Sequence, residues 1–322
     1  MMAKCEAVRE ITWDEACSIE KDVLAQRMPC LLKNYDVGDC VNKWTVDYLC
    51  KKGGSRSATV HVSESPKMNF LEKNFSYRKL PFCDVVRRAS EKQHKEYFSS
   101  SSEYYYFRSL GENARKDRSV LSEQFPDLIG DIRWPQAFPR EAFFSSVFRI
   151  ASADMQLWTH YDVMDNFLIQ VNGTKRVVLF SPEDALKLYL HGDKSTIVDI
   201  DNVDLKRYPK FADAQKFKCI LHPGDILFIP ALWFHNVVSL EFGIAVNVFW
   251  RHLPRDMYDG HDVYGNKDLI PAARSLNILN RALKVLETLP EDYRDFYGRK
   301  LIGHIENNFL SKHWHVLETP IK

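Results

Sequence analysis

The sequence predicts a mainly β fold with flanking helices, of the sandwich or barrel class. Three observations carry this. Between about residues 103 and 252, apolar runs of five to eight residues alternate with turn signals. Those runs are rich in Val, Ile, Phe and Tyr, the residues that suit a pleated surface. Beyond residue 256 the apolar spacing changes to the helical period.

Residues 1–102 read as a mixed α/β region flanking the core. Arg27-Met28-Pro29-Cys30-Leu31-Leu32 is a turn entering a buried strand. Lys43 to Leu49 is a short helix with Trp44, Tyr48 and Leu49 facing inward, ended by Gly53-Gly54. The core, residues 103–255, holds the strand runs YYYFR (104–108), FSSVFRI (144–150), LWTHYD (157–162), NFLIQV (166–171), KRVVLF (175–180), DILFIP (225–230) and GIAVNVFW (243–250). Residues 256–322 form a helical tail. Leu279, Ala282, Leu283 and Leu286 make one apolar stripe, and Leu301, Ile302, Ile305 and Phe309 make a second after the break at Leu289-Pro290. Such stripes must be covered, either by the chain's own barrel or by a second copy.

The 322 residues can bury a sizeable core, and the composition is that of an ordinary globular protein. With 44 basic against 43 acidic residues there is no molecule-wide basic field, so contact with nucleic acid would need a local basic face. Seven cysteines without C-x-x-C spacing suggest neither a disulfide framework nor a zinc knuckle. No apolar leader and no apolar run of membrane length is seen. The expected address is therefore intracellular and by default cytoplasmic, with nothing in the sequence against nuclear entry. There is no Walker loop or Rossmann glycine fingerprint to suggest a nucleotide-dependent enzyme.

The chemistry concentrates around Trp158-Thr159-His160-Tyr161-Asp162. Residues i and i+2 of a strand share a face, so His160 and Asp162 project together. His-x-Asp alone is a weak signal, and a strand histidine is more often a satisfied core residue than a ligand. Its company strengthens it. The segment HPGDILFIPALWFH (222–235) is a turn, an apolar strand ending in Pro230, and then His235 just beyond that strand end. Two histidines and one carboxylate on one face leave coordination positions open, as in non-haem iron(II) oxygenases. Lys175 opens the strand after the Asn172-Gly173 turn, and a cation at the mouth of an apolar barrel calls for an anionic partner. Asn166, four residues after Asp162, is placed to donate to a carboxylate beside the metal.

In combination, H160-x-D162, Lys175 and PGDILFIPALWFH resemble the JmjC-type hydroxylases of the cupin superfamily, whose core is a double-stranded β-helix of jelly-roll type. The likeness narrows over most of the chain. The segments KWTVDYL (43–49), KNFSYR (73–78), YYYFRSLGENARKD (104–117), FFSSVFRIASA (143–153), QLWTHYDVMDNFLIQVNGTKRVVLFSP (156–182) and LPEDYRDFYGRK (289–300) resemble the vertebrate tRNA wybutosine-synthesising JmjC hydroxylases. That resemblance implies Fe(II) held by His160, Asp162 and His235. It implies 2-oxoglutarate held by Tyr106, Asn166, Lys175 and Asn247, with Arg149 a further pocket residue. It also implies O₂ as co-substrate, hydroxylation of the wybutosine side chain beside the anticodon of phenylalanine tRNA, and a homodimer through the C-terminal helices. Candidate phosphate contacts are Lys51, Lys52 and Arg56, Arg87 and Arg88, Lys92 and Lys95, and Arg115, Lys116 and Arg118. The competing readings are a protein side-chain hydroxylase of the same fold and a non-catalytic cupin-like binding protein.

Overall fold

In a computed structural model, which describes residues 5–14, 18–54 and 56–310, the core is two β-sheets packed face to face. The chain divides into two units. The first runs up to Arg255 and includes Gly260–Lys267; the second comprises Asp256–Asp259 and the residues from Asp268.

The fifteen strands of the first unit are β1 (Cys5–Ala7), β2 (Arg9–Thr12), β3 (Cys30–Lys33), β4 (Ser57–Ser63), β5 (Phe75–Pro81), β6 (Tyr104–Arg108), β7 (Phe143–Ala151), β8 (Asp165–Asn172), β9 (Lys175–Phe180), β10 (Leu190–His191), β11 (Lys194–Ser195), β12 (Lys216–Leu221), β13 (Ile226–Ile229), β14 (Phe234–Ser239) and β15 (Gly243–Trp250). The larger sheet has nine strands in the order β2-β3-β13-β8-β15-β7-β6-β4-β5, and the smaller has four in the order β1-β12-β9-β14. Strands from the first hundred residues thus extend the larger sheet at both edges.

Alternation decides which side chains meet between the sheets. On β9, Val177 and Leu179 point inward and join Leu168, Leu221, Leu227, Ile229 and Ala245, while Val178 and Phe180 face the other way. Lys175, in step with Val177 and Leu179, is carried inside. On β15, Ile244, Val246, Val248 and Trp250 face outward, which turns Ala245 and Asn247 inward. The outer face of the larger sheet is covered by helices α2 (Val46–Gly53) and α3 (Phe82–Ser90), with Trp44, Leu49, Phe82, Val85 and Phe148 at the centre of that layer. Thr45 caps α2 by accepting from the Tyr48 amide at 3.2 Å, and Gly54 ends it. Cys50 and Cys83, on these two helices, pair as a disulfide. Spacing along the chain did not suggest this pair, because it arises from packing of two helices 33 residues apart.

Two expectations need correction. LWTHYD (157–162) is not a regular strand. Residues 154–160 run beside β14 but bridge it only at Gln156 with Val238 and at His160 with His235, so four residues on one side span three on the other. That one-residue slip is a bulge, which breaks the ladder and re-aims the side chains near it. His235 does not lie in the irregular segment after β13 either. Pro230 ends that strand, Leu232 turns the chain with φ of 71°, and His235 is the second residue of β14 in the opposite sheet.

The second unit contains helices α5 (Ile270–Leu286) and α6 (Glu291–Phe309), separated at Leu289-Pro290 as expected. None of their residues is fully buried, and Leu283, Val285, Phe296, Ile302 and Phe309 are exposed. Among the described residues, no helix is long and apolar enough to cross a membrane.

Candidate metal centre and its two cavities

The bulged segment and β14 are joined where the ligands sit. The His160 amide donates to the His235 carbonyl at 3.2 Å, and the His235 amide donates to the His160 carbonyl at 2.8 Å. This puts the two imidazoles side by side, with ring centroids 4.3 Å apart. Asp162 completes the group. Its Oδ2 is 3.6 Å from His235 Nε2, and one donor atom from each of the three residues lies within 4.8 Å of the others. The Leu232 amide donates to the Asp162 carbonyl at 2.8 Å, which ties the turn before β14 to the carboxylate segment.

The imidazole tautomers follow from local contacts. His160 Nδ1 is 2.9 Å from the Trp158 carbonyl, and His235 Nδ1 is 3.1 Å from the Trp233 carbonyl. A carbonyl oxygen only accepts, so both Nδ1 atoms carry the proton and both Nε2 lone pairs are free to coordinate. Burial lowers both imidazoles below their usual value, well below it for His160, where the proximity of His235 adds to the effect. Burial also raises the Asp162 carboxyl above its usual range, against the pull of His235, Arg149 and Arg108. Two neutral imidazoles and a buried carboxylate with converging lone pairs are a donor set that suits a divalent transition metal. The residues fit an iron(II) site with open positions.

Cavities open on either side of this centre, sharing Tyr106, Arg149, Leu157, His160 and Asp162. The inner one is narrow, about 40 Å³, and ends at Lys175, Val237, Ser239 and Asn247. Lys175 is 4% exposed and has no ion-pair partner among the described residues. Burial, reinforced by Arg149, lowers its ammonium to about 7. Asn247 accepts from Arg149 Nε at 2.8 Å, and Arg149 also donates to the Tyr106 hydroxyl. Tyr106 lines both cavities. Asn166 does not line the cavity. Its Oδ1 accepts from Asn247 Nδ2 at 3.0 Å, so it reaches the site through Asn247.

The outer cavity is larger, about 310 Å³, and aromatic: His61, Phe70, Tyr77, Trp158 and Tyr264 share its wall with Arg108, Asp193 and Lys194. Sequence reading passed over these residues. Arg108 was within reach, because it follows Tyr106 by two in β6 and so shares its face. Of the basic candidates, Arg56 lies over the Phe125 ring in a groove that also includes Arg108 and Lys79, whereas Arg88 is held by Tyr105 and Glu96.

Residues 16–256 match the cupin-like domain family. The chain is 58% identical over 287 residues to tRNA wybutosine-synthesizing protein 5 of Danio rerio, covering 89% of this chain and 88% of that protein. It belongs to the cupin-like family that contains the vertebrate tRNA wybutosine-synthesizing protein 5. The Homo sapiens protein of that name is 57% identical over 287 residues, covering 89% of this chain and 91% of the relative. A more distant cupin-like relative, tRNA wybutosine-synthesizing protein 4 of Gibberella zeae, is 34% identical over 93% of this chain but only 29% of its own length. The fungal protein is therefore mostly composed of sequence with no counterpart here.

Proposed function

We propose that this chain is an Fe(II)- and 2-oxoglutarate-dependent oxygenase that hydroxylates the side chain of wybutosine in phenylalanine tRNA. One observation carries the chemistry: converging His160, Asp162 and His235 donors border both a narrow pocket lined by a lysine without an ion-pair partner and a wider aromatic cavity. The shared name of the vertebrate relatives supports the substrate.

Iron would be held by His160, Asp162 and His235, and when bound it supplies the activation of O₂ toward an unreactive C–H bond. The chain's own residues do the rest. Lys175 offers the far carboxylate of 2-oxoglutarate a buried ammonium, at a depth set by Ser239 and Val237. Asn247 and Arg149, fixed by Asn166 and Tyr106, line the path from that carboxylate to the metal. The narrow inner pocket excludes water from the co-substrate. The outer aromatic wall suits a base drawn out of its loop, since each ring offers a stacking face. The exposed apolar residues of α5 and α6 support a homodimer formed through those helices, and light scattering would read its mass.

The deciding experiment loads the protein anaerobically with Fe(II) and 2-oxoglutarate, then adds O₂ and wybutosine-bearing phenylalanine tRNA. Nucleoside mass spectrometry should show a gain of one oxygen that depends on 2-oxoglutarate. Succinate without that gain would keep the oxygenase and move the target to a protein side chain. Neither product would leave a binding protein.

A further inference from the structure

The outer cavity contains one charge, Arg108, that neither the iron ligands nor the 2-oxoglutarate pocket uses. On the antiparallel pair of β6 and β7, Arg108 stands directly opposite Arg149. Directly opposed residues share a face with Cβ atoms about 5 Å apart, and like charges there are destabilising. Arg149 is engaged, donating to Asn247 and to the Tyr106 hydroxyl. Arg108 is not. Its Nε is buried without a hydrogen-bond partner, and among the described residues its guanidinium makes neither an ion pair nor a hydrogen bond. The Tyr264 ring lies 4.9 Å from the guanidinium carbon, and Asp162, committed to the candidate metal centre, attracts it electrostatically. The nearby acid on the same wall, Asp193, is already bound by Lys194.

A guanidinium can satisfy five donors, and it is costly to bury when none is used. Arg108 is half-buried, and an oxyanion in the cavity would engage two of its terminal donors and offset the repulsion from Arg149. We propose that Arg108 selects the substrate by pairing with one of its oxyanions, while the base lies against the aromatic wall of the outer cavity. The inference rests on the tRNA-oxygenase reading and deepens it by assigning a specificity-determining residue. Two parts of the substrate could supply the oxyanion. One is a carboxylate on the side chain being modified. The other is the phosphate of an adjoining nucleotide, since Arg108 also borders the groove that contains Arg56 and Lys79. Binding is bidentate in either case, and guanidinium geometry favours it over a lysine.

The test measures anaerobic binding and turnover of full-length Fe(II)- and 2-oxoglutarate-loaded protein, wild type, Arg108→Gln and Arg108→Lys. Two tRNA substrates are compared, one with the side-chain carboxylate free and one with it capped as a methyl ester. Arg108→Gln should raise the tRNA Kd and KM about 10- to 100-fold, the range expected for a lost charge-assisted pair. The KM for 2-oxoglutarate should stay unchanged, and Arg108→Lys should recover part of the loss. If the ester binds wild type as weakly as the free acid binds Arg108→Gln, the partner is the carboxylate. If Arg108→Gln weakens both forms equally, it is a phosphate. A tRNA KM within twofold of wild type on both forms, or a rise in the 2-oxoglutarate KM instead, would overturn the proposal. Wild-type protein that binds tRNA through Arg108 yet adds no oxygen would leave the proposal standing and remove the hydroxylation reading. Wild-type protein that binds neither tRNA would overturn both.

Discussion

The Lys175 pocket makes the co-substrate's affinity depend on pH in a defined direction. Its ammonium is lowered from 10.5 to about 7 by burial, with Arg149 adding to the shift. At about 1.4 kcal/mol per pH unit, charging Lys175 in the empty pocket costs on the order of 5 kcal/mol relative to water. The folded pKa lies below the unfolded one, so between about pH 7 and 10.5 the unfolded chain holds the extra proton. The ligand-free protein therefore gains stability as pH rises through that window. An anionic ligand needs the charged form, so above pH 7 binding must recapture a proton. The 2-oxoglutarate Kd should then rise by up to about tenfold per pH unit, until the pKa of the complex is passed. His160 and His235 are held neutral by burial and do not obscure this limb. Isothermal titration of anaerobic Fe(II) protein from pH 6.5 to 9, in buffers of different ionisation enthalpy, reads both the Kd and the proton uptake. In Lys175→Met the slope should vanish, with a loss at pH 6.5 of about 2–5 kcal/mol for a severed buried pair. A wild-type Kd that stays flat from pH 6.5 to 9 would refute the reasoning.

Other outcomes follow from the same geometry. His160→Ala or Asp162→Ala should abolish turnover and lower Fe(II) affinity by at least about tenfold, read by metal content after dialysis. Retained full activity in metal-stripped, reconstituted His160→Ala protein would end the iron-centre hypothesis. Gly173 has φ of +70°, and a Cβ there would sit 2.1 Å from the Phe242 carbonyl oxygen. Gly173→Ala should therefore cost more than about 1 kcal/mol in denaturant titration and, by displacing the start of β9, weaken 2-oxoglutarate binding. Phe148 is fully buried among Trp44, Phe82, Phe107 and Phe125. Phe148→Ala should cost about 3–5 kcal/mol, seen as a lower thermal midpoint with the iron site's 2-oxoglutarate affinity intact in the folded fraction.

Alternation and turn chemistry were enough to read β6, β7, β8, β9, β13 and β15 from the chain, and with them Lys175 at the mouth of the barrel, whereas Asn247 and Arg149 came from the family resemblance. What could not be read was non-local. The strand β14, which carries His235, begins four residues after Pro230, and its start there read only as the segment beyond a strand end. The Cys50–Cys83 pair depends on how α2 meets α3. Strand β12 alternates Phe217, Cys219 and Leu221 inward, but Gln215, Lys216 and Lys218 around them hide that period. The outer cavity drew its wall from β4, β5, β6 and the loops at Phe70, Trp158, Asp193 and Tyr264, segments far apart in sequence that only the fold brings together. Arg108 was the exception, since its face was fixed once Tyr106 was placed.

The bulge between Gln156 and His160 sets stability against function. Removing one residue there would let the segment pair evenly with β14 and gain regular ladder bonds, a change that selection for folding alone would favour. The His160–His235 bridge would survive that deletion, but the residues between the two bridges would be re-aimed, among them Trp158, whose carbonyl receives the His160 Nδ1 proton. A library screened only for thermal resistance should therefore accumulate shortened variants that melt higher and hold His160 less firmly, read as weaker binding of added Fe(II). The extra residue is a cost in sheet regularity that goes with a fixed imidazole.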